Sequence, residues 1–515
     1  MTDTTNPGFP GNSQEETWFG HPRGLFYLFF AEMWERFCFY GMRNILVLYM
    51  IDYFLFPKDE AQSGPYAAYT ALIYCVALGG GYLADKYMGY KKSIMFGGIL
   101  MAAGMFLMLA NNELLGFIGI SVSKSFELVL FYTALATIIV GNGFFKPNIS
   151  TIVGKLYAPG DPRRDGGFTI FYMGINIGAF VGGLACGWLG EQYSWPLGFG
   201  LAALGMLSGV LVFGSKACNK HLHGHGDPAD PVLAKKSFPY IFAGSLIAIP
   251  VFYFFLTHSA IVGTILGVML IAMVILMLAV AFRETKEQRE KIFALLVLLV
   301  FNVMFWSFFE QAGSSLTLYA KENLNRNIFS WEMPASWAQN FNALFIVLLA
   351  PVLAGLWVKL GRIGKDPSIP MKFALGLAQL GLAFLILAVG GRMFAVNGIT
   401  PLIFIVILYL FNTTGELFLS PVGLSMVTKL APPRLTGMVM GAWFLSIAAA
   451  NFLAGQIAAM TGSANASEGL GAVPPEESLK IYSDIYQTSS YFILGSALLL
   501  ILLVPLLKKW MHGVR

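Results

Sequence analysis

The sequence predicts an all-α polytopic membrane protein, and three observations carry that prediction. The chain is 57% hydrophobic and only 12% charged, with 44 Phe, whereas a soluble protein is about a quarter charged. Its 515 residues exceed the roughly 250–300 at which a single soluble core stops growing. Its apolar stretches are continuous, as in "SLIAIPVFYFFL" and "LLVLLVFNVMFWSFF". They are not the alternating, roughly 10-residue strands of a membrane β-barrel. Helices follow, because a segment in hydrocarbon has to satisfy its own backbone groups.

Taken in order, the chain opens with a polar tail, 1–23, that has no cleavable signal pattern. Six helix cores follow, at 24–50, 66–85, 92–110, 126–154, 168–189 and 195–214. The stretch 215–237, "SKACNKHLHGHGDPADPVLAKKS", is polar and contains His and Pro, and reads as a flexible linker near the middle of the chain. Two cores, 238–256 and 260–281, are joined by the short loop "THSA". Six more lie at 292–319, 337–358, 371–391, 401–428, 435–460 and 487–507, before a tail at 508–515. Each core is close to the roughly 20 residues that cross a bilayer.

Basic residues favour cytoplasmic loops. With the N-terminus inside, the inner segments hold 24 of the 33 Lys and Arg and the outer ones six. The remaining three, Arg36, Arg43 and Lys146, lie within helices. Both termini are thus predicted to be cytoplasmic. The net charge of +5 reflects these loops and does not mark a nucleic-acid binder. The pair 238–281 leaves and re-enters the same side, so it reads as a hairpin inserted between two six-helix halves, 24–214 and 282–507. Two six-helix halves are the plan of the major facilitator fold, with fourteen transmembrane helices in all once the hairpin is counted.

Seven charged residues sit inside predicted spans: Glu32, Glu35, Arg36, Arg43, Lys146, Glu310 and Glu416. A charge at mid-bilayer costs at least roughly 2.5–3.5 kcal/mol, so the set facing lipid would cost on the order of 20 kcal/mol. These groups have to face one another or a wet cavity. Glu32, Arg36, Tyr40 and Arg43 are spaced four, four and three apart and share one helix stripe, with Glu35 at its edge. Glu32 can pair with Arg36, while Arg43 has no acid partner in its own helix. Three cations and four carboxylates leave one acid in excess, and burial and like charge both favour its protonation. Such a set can carry a proton, or it can be a group of fixed pairs that lock helices together.

Other chemistry finds little support. No His lies in a predicted span, so carboxylates have to move any proton. His221, His223 and His225 could bind a metal or simply belong to the linker. The four Cys, at 38, 75, 186 and 218, show no disulfide or metal spacing. No nucleophile–base set is evident. An enzyme is not expected, nor any cofactor beyond the proton itself.

The stretch "AEMWERFCFYGMRNILVLYM" (31–50) resembles the ExxER element of proton-coupled oligopeptide transporters, the POT (PTR2) family of the major facilitator superfamily. Glu32, Glu35, Arg36, Phe37, Tyr40 and Gly41 match, and Phe39 stands where the family often has Tyr. "GGGYLADKYMGYKKS" (79–93) is similar to the superfamily's loop between helices 2 and 3, with Asp85 bracing neighbouring helix ends. "GNGFFKPNISTIVGKLY" (141–157), "RRDGGFTIFYMGINIGAF" (163–180), "FWSFFEQAGSSL" (305–316) and "GELFLSPVGLSMVTKLAP" (415–432) resemble further family signatures. The chain is identified as a bacterial-type member with an extra helix pair between its halves.

The resemblance implies import of di- and tripeptides with protons by alternating access across the bacterial inner membrane, by a monomer. Arg43 and Lys146 would meet the peptide carboxylate and Glu416 its amine. Asn176 and Asn342 would bond the peptide backbone. Tyr40, Tyr74 and Trp306 would shape side-chain pockets, with Trp443 as a companion. Glu310 would pair with Arg43 across the halves, and Glu32, Glu35 and Arg36 would couple protonation to Lys146. Pro147, Pro421 and the glycines of "GAFVGG" would bend gates or permit tight packing. A related carrier of nitrate or another small solute is the alternative, against which Glu416 argues, since an anion needs no acidic partner.

Overall fold

The structure is a computed structural model that describes residues 17–158, 160–432, 435–463 and 473–514. Most of the N-terminal tail, Arg434, part of the 461–486 connection and Arg515 lie outside the described residues. The first half comprises α1 (Arg23–Asp52), α2 (Lys58–Met88), α3 (Tyr90–Leu107), α4 (Lys124–Lys155), α5 (Arg164–Gln192) and α6 (Trp195–Gly214). Then come α7 (Pro231–Thr257) and α8 (Ser259–Ala281). The second half comprises α9 (Lys286–Asn323), α10 (Ala335–Arg362), α11 (Ile369–Met393), α12 (Leu402–Leu430), α13 (Thr436–Ser463) and α14 (Pro475–Trp510). Twelve of these are long and apolar enough to cross a membrane. The other two are α1, with four charges in its interior and Arg23 and Asp52 at its ends, and α3, whose first turn carries Lys91 and Lys92.

In the first half α1 packs on α5 and α6, and α4 on α2 and α3. In the second, α11 packs on α12 and α14, and α9 on α13. The halves meet where α2 lies against α13 and α5 against α10. The helix α7 leans on α4, α8 leans on α13 and α9, and the two touch each other little. The charged α1 is almost entirely buried, which keeps its ions from lipid. The apolar α8 leaves most of its surface exposed, as a helix without charge can.

Close crossings depend on missing side chains. Pro147 inside α4 has no N–H to give to the Gly143 carbonyl one turn back. That carbonyl lies against Gly80 of α2, where a Cβ would come within 1.8 Å of its oxygen. On α5, Gly178 and Gly182 sit against the backbone carbonyls of Met33 and Phe37 of α1 in the same way. The glycines of "GAFVGG" thus serve packing.

Several elements depart from the sequence reading. The helix α9 is not continuous: a tighter turn, Glu310–Gly313, interrupts it, and Ser314 has φ −133° and ψ −99°. The helix α14 starts at Pro475, well before the expected 487, because its first turns are amphipathic. Leu479, Tyr482 and Tyr486 are buried, and Ser478 and Tyr486 donate to Asn323 (2.8 Å) and Ser315 (3.1 Å) of α9. The expected flexible linker is folded. A short helix, Lys216–His221, is capped by the Ser215 hydroxyl, which accepts from the Cys218 N–H at 3.1 Å. Leu222 is buried, and His221 stacks on Tyr27 with centroids 5.7 Å apart. Lys91 pairs with Asp227 at 2.7 Å and tethers the rest. Among the described residues no three His, Cys, Asp or Glu converge as a metal site.

The α2–α4 crossing gives a paired prediction. Gly80→Ala forces a Cβ into the Gly143 carbonyl and destabilises the protein by about 1–3 kcal/mol. At the adjacent Gly79 an added Cβ meets nothing within 4 Å, so Gly79→Ala is neutral or stabilising by up to about 1 kcal/mol through helix propensity. Thermal melts followed by size-exclusion chromatography separate the two. Equal melting points contradict the packing account.

Candidate functional site

A cavity of about 400 Å³ lies between the halves, within the roughly 300–1,000 Å³ of small-molecule sites. From the first half it is lined by Tyr40 and Arg43 of α1, Tyr74 of α2, Lys146 of α4 and Asn176 of α5. From the second half come Trp306 and Glu310 of α9, Asn342 of α10 and Glu416 of α12. These residues are separated by hundreds of positions and meet on one polar surface.

The walls carry opposite charge. Arg43 forms a buried ion pair with Glu310 across the halves and donates from Nε to the Tyr66 hydroxyl at 3.1 Å. The break in α9 creates this contact: Glu310 begins the tight turn, and Gly313, with no side chain, admits the Tyr66 hydroxyl where a Cβ would lie 1.9 Å from it. The Lys146 ammonium lies over the Tyr74 ring, 4.3 Å from its centroid. No carboxylate within 4 Å pairs with it among the described residues. On the facing wall, Glu416 accepts from Asn342 Nδ2 at 3.0 Å and has no cationic partner among the described residues. Asn342 also bonds the Thr413 hydroxyl at 3.0 Å, which fixes the amide. Trp306 is held by Asn302 at 3.1 Å, and Asn176 by the Tyr172 carbonyl at 3.0 Å.

The other charges of α1 lie behind this wall. Arg36 Nε is 3.3 Å from Glu32 Oε1, and the same guanidinium pairs with Glu35 and sits over the Phe39 ring at 5.2 Å. Glu35 also accepts from Asn142 of α4 at 3.4 Å. Glu32, Glu35 and Arg36 are all buried, and none is part of the cavity lining. The α1 stripe therefore divides, with Tyr40 and Arg43 facing the cavity and Glu32–Arg36 enclosed between α1 and α4. Glu32 Oε2 and Arg36 Nη2 find no hydrogen-bond partner among the described residues.

One expected cavity residue lies elsewhere, and two residues of the structural set can be located. Trp443 is buried but does not line the cavity; its indole lies on the backbone of α12 at Gly423, where a Cβ would meet it at 2.4 Å. Asp85 takes the Tyr90 hydroxyl across the turn between α2 and α3, outside the cavity. Pro147 lies one residue beyond Lys146 in α4. Pro421 falls within α12, but its side chain is outside the described residues. A count of charges alone also passed over Asn44, Gln339, Asn340 and Asn412, which line the cavity too. A carboxamide in an apolar run is itself costly to bury, and that signal would have found them. Asn412 is buried with neither amide atom partnered.

Beyond the cavity, toward the side predicted to be extracellular, the halves are joined repeatedly. Asn44 Nδ2 donates to Asn340 Oδ1 at 3.0 Å. Glu191 at the end of α5 accepts from the backbone N–H groups of Ala335 (2.8 Å) and Ser336 (2.9 Å) at the start of α10. Lys58 pairs with Glu322 at 2.6 Å, and Lys321 with Asp52. These bonds tie the two halves together at that end.

Two bundles of membrane-crossing helices that enclose a cavity with a cationic and an acidic wall are the architecture of a membrane transporter. The chain belongs to the POT family, whose profile matches residues 91–474. It is 36% identical over the full length of both chains to the uncharacterized transporter YclF of Bacillus subtilis. It is 33% identical to dipeptide and tripeptide permease B of Xenorhabdus bovienii, over 95% of this chain and 96% of that one. Among solved structures it superposes on a mutant of peptide transporter POT in complex with alafosfalin, with a TM-score of 0.80 and 36% identity over 97% and 98% of the chains.

The closure is testable link by link. Removing one member of a buried ion pair costs roughly 3–5 kcal/mol, whereas an exposed pair is worth about 0–1 kcal/mol. A cysteine in place of the buried Asn340 should react with an external, membrane-impermeant maleimide at least about tenfold faster when Glu310→Gln is added. With Asp52→Asn the gain should stay below about fivefold. Equal effects would show that Arg43–Glu310 does not hold the gate.

Proposed function

We propose that this chain imports di- and tripeptides together with protons by alternating access. The observation that carries the reading is the pair of uncompensated opposite charges on the two walls, Lys146 on one half and Glu416 on the other. A short peptide is a zwitterion and can bridge them. Its carboxylate goes to Lys146 and Arg43, its amine to Glu416, and its backbone to Asn176 and Asn342. Tyr40, Tyr74 and Trp306 form the walls around its side chains. A ligand that spans both halves favours the state that brings them together through its differential contacts. A lone anion such as nitrate would leave Glu416 unpaired in the cavity, which disfavours the alternative. The names of the related permease and of the ligand-bound transporter support the same cargo.

Coupling runs through partner exchange. A proton on Glu310 dissolves its pair with Arg43, frees the guanidinium for the peptide carboxylate and loosens the outer closure. Glu32, Glu35 and Arg36 form a buried network whose unfilled positions allow rearrangement, and they pass protonation to Lys146 through α4. One charge moving down 100 mV supplies about 2.3 kcal/mol, more than the 1.4 kcal/mol needed for tenfold accumulation. No cofactor beyond the proton is needed. We place the protein as a monomer in the bacterial inner membrane with both termini in the cytoplasm and the present state open toward that side.

Uptake of radiolabelled dialanine into proteoliposomes under an inward acid gradient tests this. The wild type accumulates peptide and a protonophore abolishes accumulation. Glu416→Gln raises KM about tenfold or more. Glu310→Gln exchanges peptide across the membrane but no longer concentrates it. Normal proton-driven accumulation by Glu310→Gln, or accumulation of nitrate in place of dialanine, would overturn the proposal.

A further inference from the structure

The helix α7 does not lie flush on the bundle beside it. Between it and α2 and α4 runs a crevice of about 500 Å³. Its floor includes the Gly80–Gly143 crossing, and its outer wall includes Ile241, Gly244, Ala248 and Phe252. Among the described residues no charged side chain lines it. The Ser245 hydroxyl on its wall is already donated to the Ile241 carbonyl at 2.8 Å. The other hydroxyl groups of its lining, on Tyr87, Ser237 and Tyr240, belong to residues at the Ser237 end, so a charged ligand finds no counter-charge along the slot.

The crevice has the reach of one leaflet. From Ser237 to Phe252 on its wall the helix advances roughly 22 Å at 1.5 Å per residue. Half of the hydrocarbon core is about 15 Å. The end at Ser237 and Tyr87 lies beside the folded linker, on the face that the basic residues assign to the cytoplasm. Lys86 is next to Tyr87 in sequence, and Lys235 and Lys236 directly precede Ser237; all three are exposed, and the Lys86 ammonium donates to the Tyr82 hydroxyl at 3.1 Å and lies 5.6 and 5.3 Å from the centroids of the Tyr82 and Tyr87 rings. The neighbouring acids are engaged elsewhere. Asp85 takes the Tyr90 hydroxyl, Asp227 pairs with Lys91, and Asp230 caps α7 by accepting from the N–H groups of Val232 and Leu233. Bonds to neutral groups leave Asp85 and Asp230 charged, so Lys86, Lys235 and Lys236 exceed the two carboxylates by one positive charge.

We propose that this crevice is a binding site for an anionic phospholipid of the cytoplasmic leaflet, with one acyl chain in the slot and the headgroup on Lys86, Lys235 and Lys236. An apolar slot rules out a soluble anion, and a cationic rim at headgroup depth selects against a zwitterionic lipid. The site also touches the transport machinery. Val76 and Phe144 on its walls are each two residues from Tyr74 and Lys146 of the central cavity. A seated chain thus presses on the two helices that position the cationic wall. The site stands whether or not the cargo is a peptide.

The test uses the full-length chain, equilibrated with equal amounts of phosphatidylglycerol and phosphatidylcholine of the same acyl chains, and native mass spectrometry to count retained lipid. The wild type retains phosphatidylglycerol at least about fivefold over phosphatidylcholine. At Gly244 an added Cβ meets nothing within 4 Å, so Gly244→Phe places its ring in the slot and lowers retained lipid of both classes severalfold. Gly267 of α8 is equally open and lies outside the crevice; Gly267→Phe retains lipid as the wild type does. Replacing Lys86, Lys235 and Lys236 together with Gln keeps a lipid but removes the preference. Undiminished lipid on Gly244→Phe, equal loss on Gly267→Phe, or no preference in the wild type would overturn the proposal.

Discussion

A guanidinium in a membrane needs a carboxylate, and Arg43 finds its carboxylate on the other half of the molecule, 267 residues away. The two charges are tolerable in the bilayer because they are paired and screened from lipid by helices on every side. Much of the architecture serves that condition. The helix α9 breaks at Glu310, Gly313 gives room for Tyr66 to brace the guanidinium, and α1 is sheathed so fully that its four ionic side chains never meet lipid. We propose that the same condition makes the pair a switch. Neutralising Glu310 removes the reason for Arg43 to stay, so one proton changes what joins the two bundles.

The remaining charges are arranged by the same economy with a different outcome. Glu32, Glu35 and Arg36 satisfy most of one another inside the first bundle. Lys146 and Glu416 are left incomplete on facing walls, each softened by neutral neighbours: an aromatic face for the ammonium, and a carboxamide for the carboxylate. An incomplete buried charge is costly, and a zwitterion that reaches both walls removes that cost on binding. On the proposed reading, substrate recognition and closure are one electrostatic problem solved in two ways, by the protein's own pairs when empty and by the peptide when loaded.

Much of this was legible in the chain. The ionic residues of α1 stood out because hydrocarbon penalises each of them, and their spacing placed Arg43 and Tyr40 on one face. The distribution of Lys and Arg predicts the orientation and sets the 238–281 pair apart from the two halves. What was hidden has physical reasons. The break in α9 falls in "FWSFFEQAGSSL", which has no Pro, and its partners Arg43 and Tyr66 come from α1 and α2, far away in sequence. The early start of α14 was missed because Leu479, Tyr482 and Tyr486 make an amphipathic stripe of low average hydropathy. The linker looked mobile because its polarity outweighs the few residues, Cys218 and Leu222, that anchor it. Trp443 was misplaced because nothing local shows that Gly423 leaves space for its indole. Asn412 and Asn340 were passed over because a carboxamide is a weaker signal than a charge.

The central claim is that one zwitterion completes two buried ions on opposite bundles. The most direct measurement is calorimetric binding of dialanine and of its N-acetylated form to the wild type and to Glu416→Gln. The account predicts that acetylation weakens wild-type binding by about 1.4 kcal/mol or more and changes the variant's binding little, because amine and carboxylate form one interaction. Equal losses on acetylation in both proteins would contradict it.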